Sequence, residues 1–572
     1  MAFQVSPGVQ VKEIDATSVV PAVSTSIGGF AGSFNWGPVD QITDISSEKQ
    51  LAEVFGTPDS NTFKYFLSAA GFLKYGNALK VVRVASGHLN ATAGTQGLLV
   101  KNDVHYNDNY SSGQAHDTQV AEWVAKCPGT LGNSLKVCVI TEGVSNFASI
   151  EYMTAVGKYS DLFDAAPGTS DYAVSLGKST IGDELHVVVV DEGGLISGTA
   201  GTVLETFAFM SQGSDAKKSD GTSNYYVDVI NAGSDYIRWA NHPATLGNAG
   251  VLISSASSIA GSTTAIVDSL AHGTDDNAPT NGEVSLGYDL LADAETVDVQ
   301  LLFAAPDTHA TPNVIAQKLI AVATARKDCM AFVSPPIEDT VNESAPAAAV
   351  KTWADSLSSS SYASADSTAL YVYDKYNDKY RWIGAGGHIA GLCAATDRTA
   401  DAWFSPAGAS RGQLFGVVKL AYNPVKADRD TLYKARVNPI VSFPGEGTLL
   451  FGDKTLLSKP SAFDRINVRR LFNTIEKAIS TAAKAQLFEF NDEFTRAQFK
   501  NLVEPFLRDV KGRRGVTDFL VVCDTTNNTG QVIDSNNFVA DIFIKPSRSI
   551  NFITLNFIAT RTGVSFTEIA GS

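Results

Sequence analysis

Val297-Asp-Val-Gln-Leu-Leu-Phe303 reads as a strand, Pro312 to Arg326 as a helix, Cys329-Met-Ala-Phe-Val333 as a strand, Ala345 to Leu357 as a helix, and Ala369-Leu-Tyr-Val-Tyr373 as a strand. Short apolar runs separated by helix-length amphipathic stretches are the signature of this alternation. Strands that alternate with helices predict a mostly parallel sheet with helices packed against it. Ser358 to Ser361 is then a connecting loop, and Gly384 to Ala395 opens another helix. Residues 286–444 form an α/β domain on this reading.

Moving toward the amino terminus, residues 126–285 are predicted to be a β-rich domain with a loop-rich tail. Its clearest strands are Val137 to Ile140, Leu185 to Val190 and Leu204 to Phe209. The tail, residues 241–285, is rich in Gly, Ser, Thr and Ala and reads as a surface insertion or lid with at most a short helix. Residues 91–125, rich in Gly, Asn, Asp, Ser and Tyr, read as a second surface insertion. Residues 21–90 hold a strand that runs into a turn at Ile27 to Pro38. A helix follows on Phe63, Phe66, Leu67, Ala70 and Leu73, and then a buried strand from Leu79 to Val84.

Toward the carboxyl terminus, residues 445–548 are predicted to be a compact α+β unit. Ser461 with Asp464 resembles a capping box, and Ile466, Leu471, Phe472, Ile475, Ile479 and Ala483 share one helical face. A second helix carries Phe499, Leu502, Val503, Phe506, Leu507 and Val510 and stops at Gly512. Pro505 lies inside it, and proline costs on the order of 3 kcal/mol in a helix interior, so a kink or a break after Glu504 is expected. A buried strand at Phe519 to Cys523 and a strand at Asp541 to Lys545, closed by Pro546, complete the unit. The fold class is multidomain α/β and α+β, with extended arms at both ends.

The arms are residues 1–20 and 549–572. Ser6 to Ile14 alternates apolar and polar residues through Val9, Val11 and Ile14, and Ser549 to Arg561 reads as a long strand through Ile550, Phe552, Ile553, Leu555 and Phe557. A terminal strand exposes N–H and C=O groups that a neighbouring sheet edge can satisfy, so arms of this kind suggest a subunit linked to copies of itself.

With 572 residues the chain exceeds the roughly 250–300 at which a single core stops growing. Its apolar runs are far shorter than the ~20 residues of a membrane helix, and its start lacks a signal-peptide pattern. Neither membrane insertion nor export by the general route is expected. A net charge of −16 argues against direct nucleic-acid binding, which needs clustered cations. Five widely spaced cysteines without a C-x-x-C fit reduced, buried thiols rather than disulfides or zinc.

No coherent catalytic, cofactor or metal site emerges. Ala271-His-Gly-Thr274 echoes a subtilisin element, but the Gly-Thr-Ser triplets at 168–170 and 221–223 precede it, against the subtilisin order. Gly177-Lys-Ser179 has Tyr172 where a phosphate loop needs its first glycine. His388, Cys393 and Asp397 fall on different faces of one helix. The Asp/Asn turns at 524–528 and 534–537 lack the glycine and the distal glutamate of a calcium loop. No enzyme activity, cofactor or metal is expected.

Ser6 to Ile14, Trp36-Gly-Pro-Val39, Phe55-Gly56 and Ala125 to Val137, and toward the carboxyl end Val437-Asn-Pro-Ile440, Gly447 to Leu456, Asn467-Val-Arg-Arg-Leu471, Phe488-Glu-Phe-Asn-Asp492, Cys523 to Asn528 and Ile544-Lys-Pro546, form one set of short motifs. Together they resemble the contractile tail sheath proteins of bacteriophages, especially the long ones of large contractile-tailed phages. Phe451 stands where the family usually has Trp, and Phe490 where it often has Pro.

The resemblance implies a structural virion subunit, assembled in the host cytoplasm. It would stack as six-fold rings around a tail tube and contract on a baseplate signal to drive the tube through the host envelope. Its implied partners are itself by strand exchange, the tail tube protein, and the baseplate and tail terminator proteins. Residues 21–90 would be part of an inner sheath domain and 445–548 a tube-proximal polymerisation domain. Gly8, Thr17 to Ser26 and Pro546 to Ser549 are the hinge candidates. Two basic clusters are candidates for the tube-facing surface or, equally, a solvated face: Arg465, Arg469 and Arg470, and Arg508, Lys511, Arg513 and Arg514. The rival reading is the sheath of a bacteriocin, a type VI secretion device or an extracellular injection particle.

Overall fold

The fold is that of a computed structural model, which describes residues 23–110, 120–153, 157–259 and 261–551. The chain divides into two compact units, and the division falls inside the helix Ile466–Ala483.

The larger unit holds residues 23–402 and 406–474 and is built on a seven-stranded sheet. In spatial order its strands are Val437–Asn438, Ala363–Asp366, Met330–Val333, Leu301–Phe303, Gly28–Gly32, Leu79–Arg83 and Ile42–Ile45. Every neighbouring pair is parallel except the last. The amino-terminal strand thus sits mid-sheet, with Gly28 paired to Leu301 on one side and Leu79 on the other. Glycine is required at 29, because a Cβ there would lie 2.8 Å from the Val299 side chain and 2.9 Å from that of Leu302.

Helices cover both faces. Phe63–Leu73 and Gly386–Thr399 pack Phe66, Phe72, Ile389 and Leu392 against Phe30, Phe303 and Phe332. On the other face Asn281–Asp289, Val314–Arg326 and Pro346–Ser356 pack Tyr288, Leu319, Val350 and Trp353 against Ala31, Val82 and Leu302. Burial on both sides explains why these strands read as continuous apolar runs.

Three features differ from the sequence reading. The strand near Ala369 exists as Leu370–Asp374, but it pairs antiparallel with Lys379–Ile383 and Val417–Leu420 in a separate sheet. Its place in the parallel sheet is taken by Ala363–Asp366, directly after the Ser-rich loop. The predicted strand from Val297 is reduced to Leu301–Phe303, because Arg326 draws the Val297 carbonyl to itself at 2.8 Å.

A four-stranded antiparallel sheet of Ile266–Ser269, Leu135–Thr141, Glu184–Asp191 and Thr202–Ser211 forms the β-rich part. The two supposed insertions are structural. In the first, Val100, Tyr106, Val120 and Val124 form a buried cluster with Ala240, and Trp123–Ala125 pairs with Ile237–Trp239. The second supplies the Ile266–Ser269 strand and the start of Asn281–Asp289. That helix opens with a capping box of Thr280 and Glu283, and its Tyr288 hydroxyl donates to the Phe303 carbonyl at 2.7 Å. A few large apolar residues embedded in polar sequence carry this packing.

The smaller unit holds, among the described residues, 403–405 and 475–551. Its helix Glu493–Gly512 is capped by Asp492, whose carboxylate accepts from the Thr495 N–H at 2.8 Å. Phe499, Leu502, Val503, Leu507 and Val510 are its buried stripe. The helix passes through Pro505 without the expected break. The strands Val516–Val522 and Asp541–Pro546 form an antiparallel pair. In the larger unit, Ser461 caps a short 3-10 turn, Ala462–Asp464, so the long helix starts only at Ile466 rather than at a capping box.

Candidate assembly interface

The hairpin of the smaller unit has only two strands among the described residues. Two-stranded sheets are marginal in water, and each outer edge offers unpaired backbone groups. One face buries Val521 and half-buries Phe519, Ile542 and Ile544, whereas the other exposes Leu520 and Phe543, which face each other across the strands. Phe519 to Cys523 is therefore a one-sided strand and not the fully buried one expected. Asp518, beside that pair, lies 3.2 Å from Lys511 and 3.8 Å from Lys545, and the lysines hold its carboxyl below the usual range.

A second apolar group lies before and at the start of the helix Glu493–Gly512. Leu487, Phe488, Phe490 and Phe494 are all largely exposed, and Phe488 has a left-handed backbone at φ 71°. A bulky residue in that region is strained, and strain of this kind gathers at functional sites.

Of the predicted arm residues, Ile550 is described and is 83% exposed. Val9, Val11, Ile14, Phe552, Ile553, Leu555 and Phe557 lie outside the described residues.

The basic clusters separate sharply. Arg508, Lys511, Arg513 and Arg514 are exposed, with Arg513 3.8 Å from Asp509 and above the Trp403 ring. Arg469 and Arg470 are buried, which corrects the reading of Arg465, Arg469 and Arg470 as a surface cluster. Arg469 donates from Nε to Asn473 Oδ1 at 2.9 Å and lies over the rings of Tyr362 and Phe463. Arg470 pairs with Asp397 at 2.6 Å. Arg465 is mostly covered as well, donating to the Tyr433 hydroxyl at 2.7 Å beside Asp453 and Asp464. Burying a guanidinium is tolerable only with such partners.

The residues that tempted a catalytic reading do not converge. His388 lies against the Tyr75 hydroxyl at 3.1 Å, and burial, reinforced by Lys74, pushes its pKa down to about 3. Burial pushes the Cys393 thiol up to about 12. Asp397 is committed to Arg470. Lys178 holds the carbonyls of Ser254 and Ala256, so it closes a loop. Among the described residues no group of three or more His, Cys, Asp or Glu could hold a metal, and no helix is long and apolar enough to cross a membrane.

Arg83 was missed from the sequence. It ends a strand of the central sheet, is fully buried, and donates to the carbonyls of Phe34, Gly37 and Pro128 at 2.9, 2.7 and 2.8 Å. It joins the Trp36-Gly-Pro turn to the Pro128-Gly129 turn that leads into the β-rich sheet. The only sequence signal was a cation at the end of an apolar run.

This layout has known relatives. Residues 25–84 match the family model of the tail sheath protein Gp18 domain III N-terminal region, 279–456 the phage tail sheath protein central domain, and 458–560 the phage tail sheath C-terminal domain. The tail sheath protein of Enterobacteria phage T4 is 33% identical in an alignment covering 99% of this chain and 99% of that one. The chain belongs to the phage tail sheath protein family. The tail sheath protein of Vibrio phage KVP40 is likewise 33% identical over 99% of both chains. The crystal structure of a sheath tail protein from Listeria innocua shares the fold, with a TM-score of 0.52, 12% identity, and coverage of 92% of this chain and 96% of that one. This sheath protein is accordingly a structural subunit of a contractile tail sheath and a component of the virion.

Proposed function

We propose that the sheath protein polymerises as six-fold rings around a tail tube and shortens as an array on a signal from the baseplate, driving the tube through the host envelope. The amino- and carboxyl-terminal arms, through Val9, Val11 and Ile14 and through Ile550, Phe552, Ile553, Leu555 and Phe557, add strands to the hairpin Val516–Val522 and Asp541–Pro546 of neighbouring copies. The observation that carries this reading is the hairpin itself, two strands with both edges free among the described residues and an apolar pair on its outer face. Strand addition contributes about 0.5–1.5 kcal/mol per hydrogen bond, so a joint of several bonds survives while subunits rotate and repack. Assembly takes place in the host cytoplasm, with a terminator protein closing the array.

Arg508, Lys511, Arg513 and Arg514 are the proposed tube-facing residues, since they are the members of the two basic clusters with exposed side chains. Reversing all four to glutamate tests this. Electron microscopy of the variant mixed with assembled tubes is expected to show bare tubes with sheath assembling apart from them. Normally decorated tubes would place the tube contact elsewhere.

A further inference from the structure

We infer that Arg470 is a positioning residue for assembly: it fixes the point at which the amino-terminal arm leaves the body of the subunit. This rests on the proposed role of that arm as an inter-subunit strand. Arg470 lies on the helix Ile466–Ala483 and is 4% exposed. Its Nη2 donates to the Thr25 carbonyl at 3.2 Å and to Asp397 Oδ2 at 2.6 Å, and its Nη1 donates to the Cys393 carbonyl at 3.4 Å. One guanidinium therefore ties the helix Gly386–Thr399 to the main chain at Thr25.

Ile27 supplies the next anchor. Its N–H donates to Gln300 Oε1 at 3.2 Å, and its carbonyl accepts from the Gln300 and Leu301 N–H groups at 3.0 and 3.1 Å. From Ile27 onward the chain is held by the central sheet. At Thr25 it is held by Arg470, so the anchored positions Thr25 and Ser26 drop out of the hinge candidates.

The planar fork of Arg reaches a carboxylate and a main-chain carbonyl together, which the point charge of Lys does not. A fixed root matters because an arm whose origin wanders presents its strand at a lower effective concentration to the neighbouring edge. Simple removal of Arg470 would leave Asp397 as an uncompensated buried carboxylate, one oxygen of which has no hydrogen-bond partner among the described residues. The matched pair Arg470→Met with Asp397→Leu avoids that, since buried ion pairs exchanged for apolar residues of similar volume are often neutral.

The test uses the full chain with a nitroxide on Ser24→Cys. Ser24 is exposed and the five native cysteines are buried, so the label is selective. In Arg470→Lys and in the Met/Leu pair, the spectrum of the label is expected to shift to the mobile form while far-UV circular dichroism is retained. The critical concentration for sheath growth is expected to rise about tenfold, equivalent to about 1.4 kcal/mol. An immobile label and unchanged growth in a folded variant would overturn the inference. Deletion of residues 1–16 separates the two layers. If sheaths still grow without the arm, the arm reading falls. If growth is lost on deletion but neither label nor growth responds to the Arg470 variants, the inference alone falls.

Discussion

Leu520 and Phe543 are direct cross-strand partners on the hairpin, and they remain 56% and 59% exposed. An apolar cross-strand pair stabilises a sheet through its mutual packing, but leaving its outer face in water forgoes most of the burial available to it. If assembly covers this face, the pair matters more to the array than to the monomer. Replacing both residues by Thr is expected to leave urea unfolding of the monomer within about 0.5 kcal/mol of the parent, as for other exposed positions. Turbidity and electron microscopy should show that the same variant grows little or no sheath.

Two buried groups give the fold opposite pH dependences. His388 is held down at about 3 in the folded state by burial and the nearby Lys74, against an ordinary value near 6.5. Its contribution is complete above pH ~6.5 and lost as pH falls toward 3, with a slope of up to about 1.4 kcal/mol per pH unit. Asp366 accepts from the Ser334 hydroxyl at 2.5 Å, and burial raises it to about 7. Its contribution is complete below about pH 4 and lost as pH rises through 7. Thermal melts should show His388→Gln flattening the loss of stability between pH 6 and 4. Asp366→Asn, which keeps an acceptor for Ser334, should raise stability at pH 8 by on the order of 1–3 kcal/mol and do little at pH 4.

Arg83 closes the junction between the central sheet and the β-rich sheet with three backbone carbonyls, and no carboxylate is among its hydrogen-bond partners in the described residues. Arg83→Met keeps the length and removes the donors. Unpaired buried acceptors cost about 1–3 kcal/mol each, so denaturant unfolding should report a loss of at least about 3 kcal/mol. Arg83→Lys should recover only part of it, since one ammonium does not span three carbonyls as the guanidinium fork does.

Pro505 interrupts the hydrogen-bond ladder of Glu493–Gly512, leaving the Asn501 carbonyl without its helical N–H. Since the helix continues on both sides of it, Pro505→Ala should stabilise the protein by about 1–2 kcal/mol, read by urea unfolding.

Much of the doubly wound sheet was legible because its strands are buried on both faces and read as plain apolar runs, as at Leu301 to Phe303 and Met330 to Val333. Ala363–Asp366 was not legible. Its four residues are small or polar yet all buried, and they are kept there by hydrogen bonds such as Asp366 to Ser334, which no pattern announces. The insertion of Gly28–Gly32 between Leu301–Phe303 and Leu79–Arg83 is a pairing of distant segments, and periodicity carries no information about register over that distance. The burial of Arg469 and Arg470 was not legible, because charge in a sequence reads as exposure and the partner of Arg470, Asp397, lies 73 residues away. The hairpin misled in the opposite sense, because Leu520 is apolar and still faces out.

The arms are tested most directly by negative-stain electron microscopy of the purified full chain beside two deletions, one lacking residues 1–16 and one ending before Ser549. The intact protein is expected to form ringed tubes, and both deletions are expected to remain folded, with unchanged far-UV circular dichroism, but to form none. Tubes of normal length and order from either deletion would contradict strand exchange through the arms.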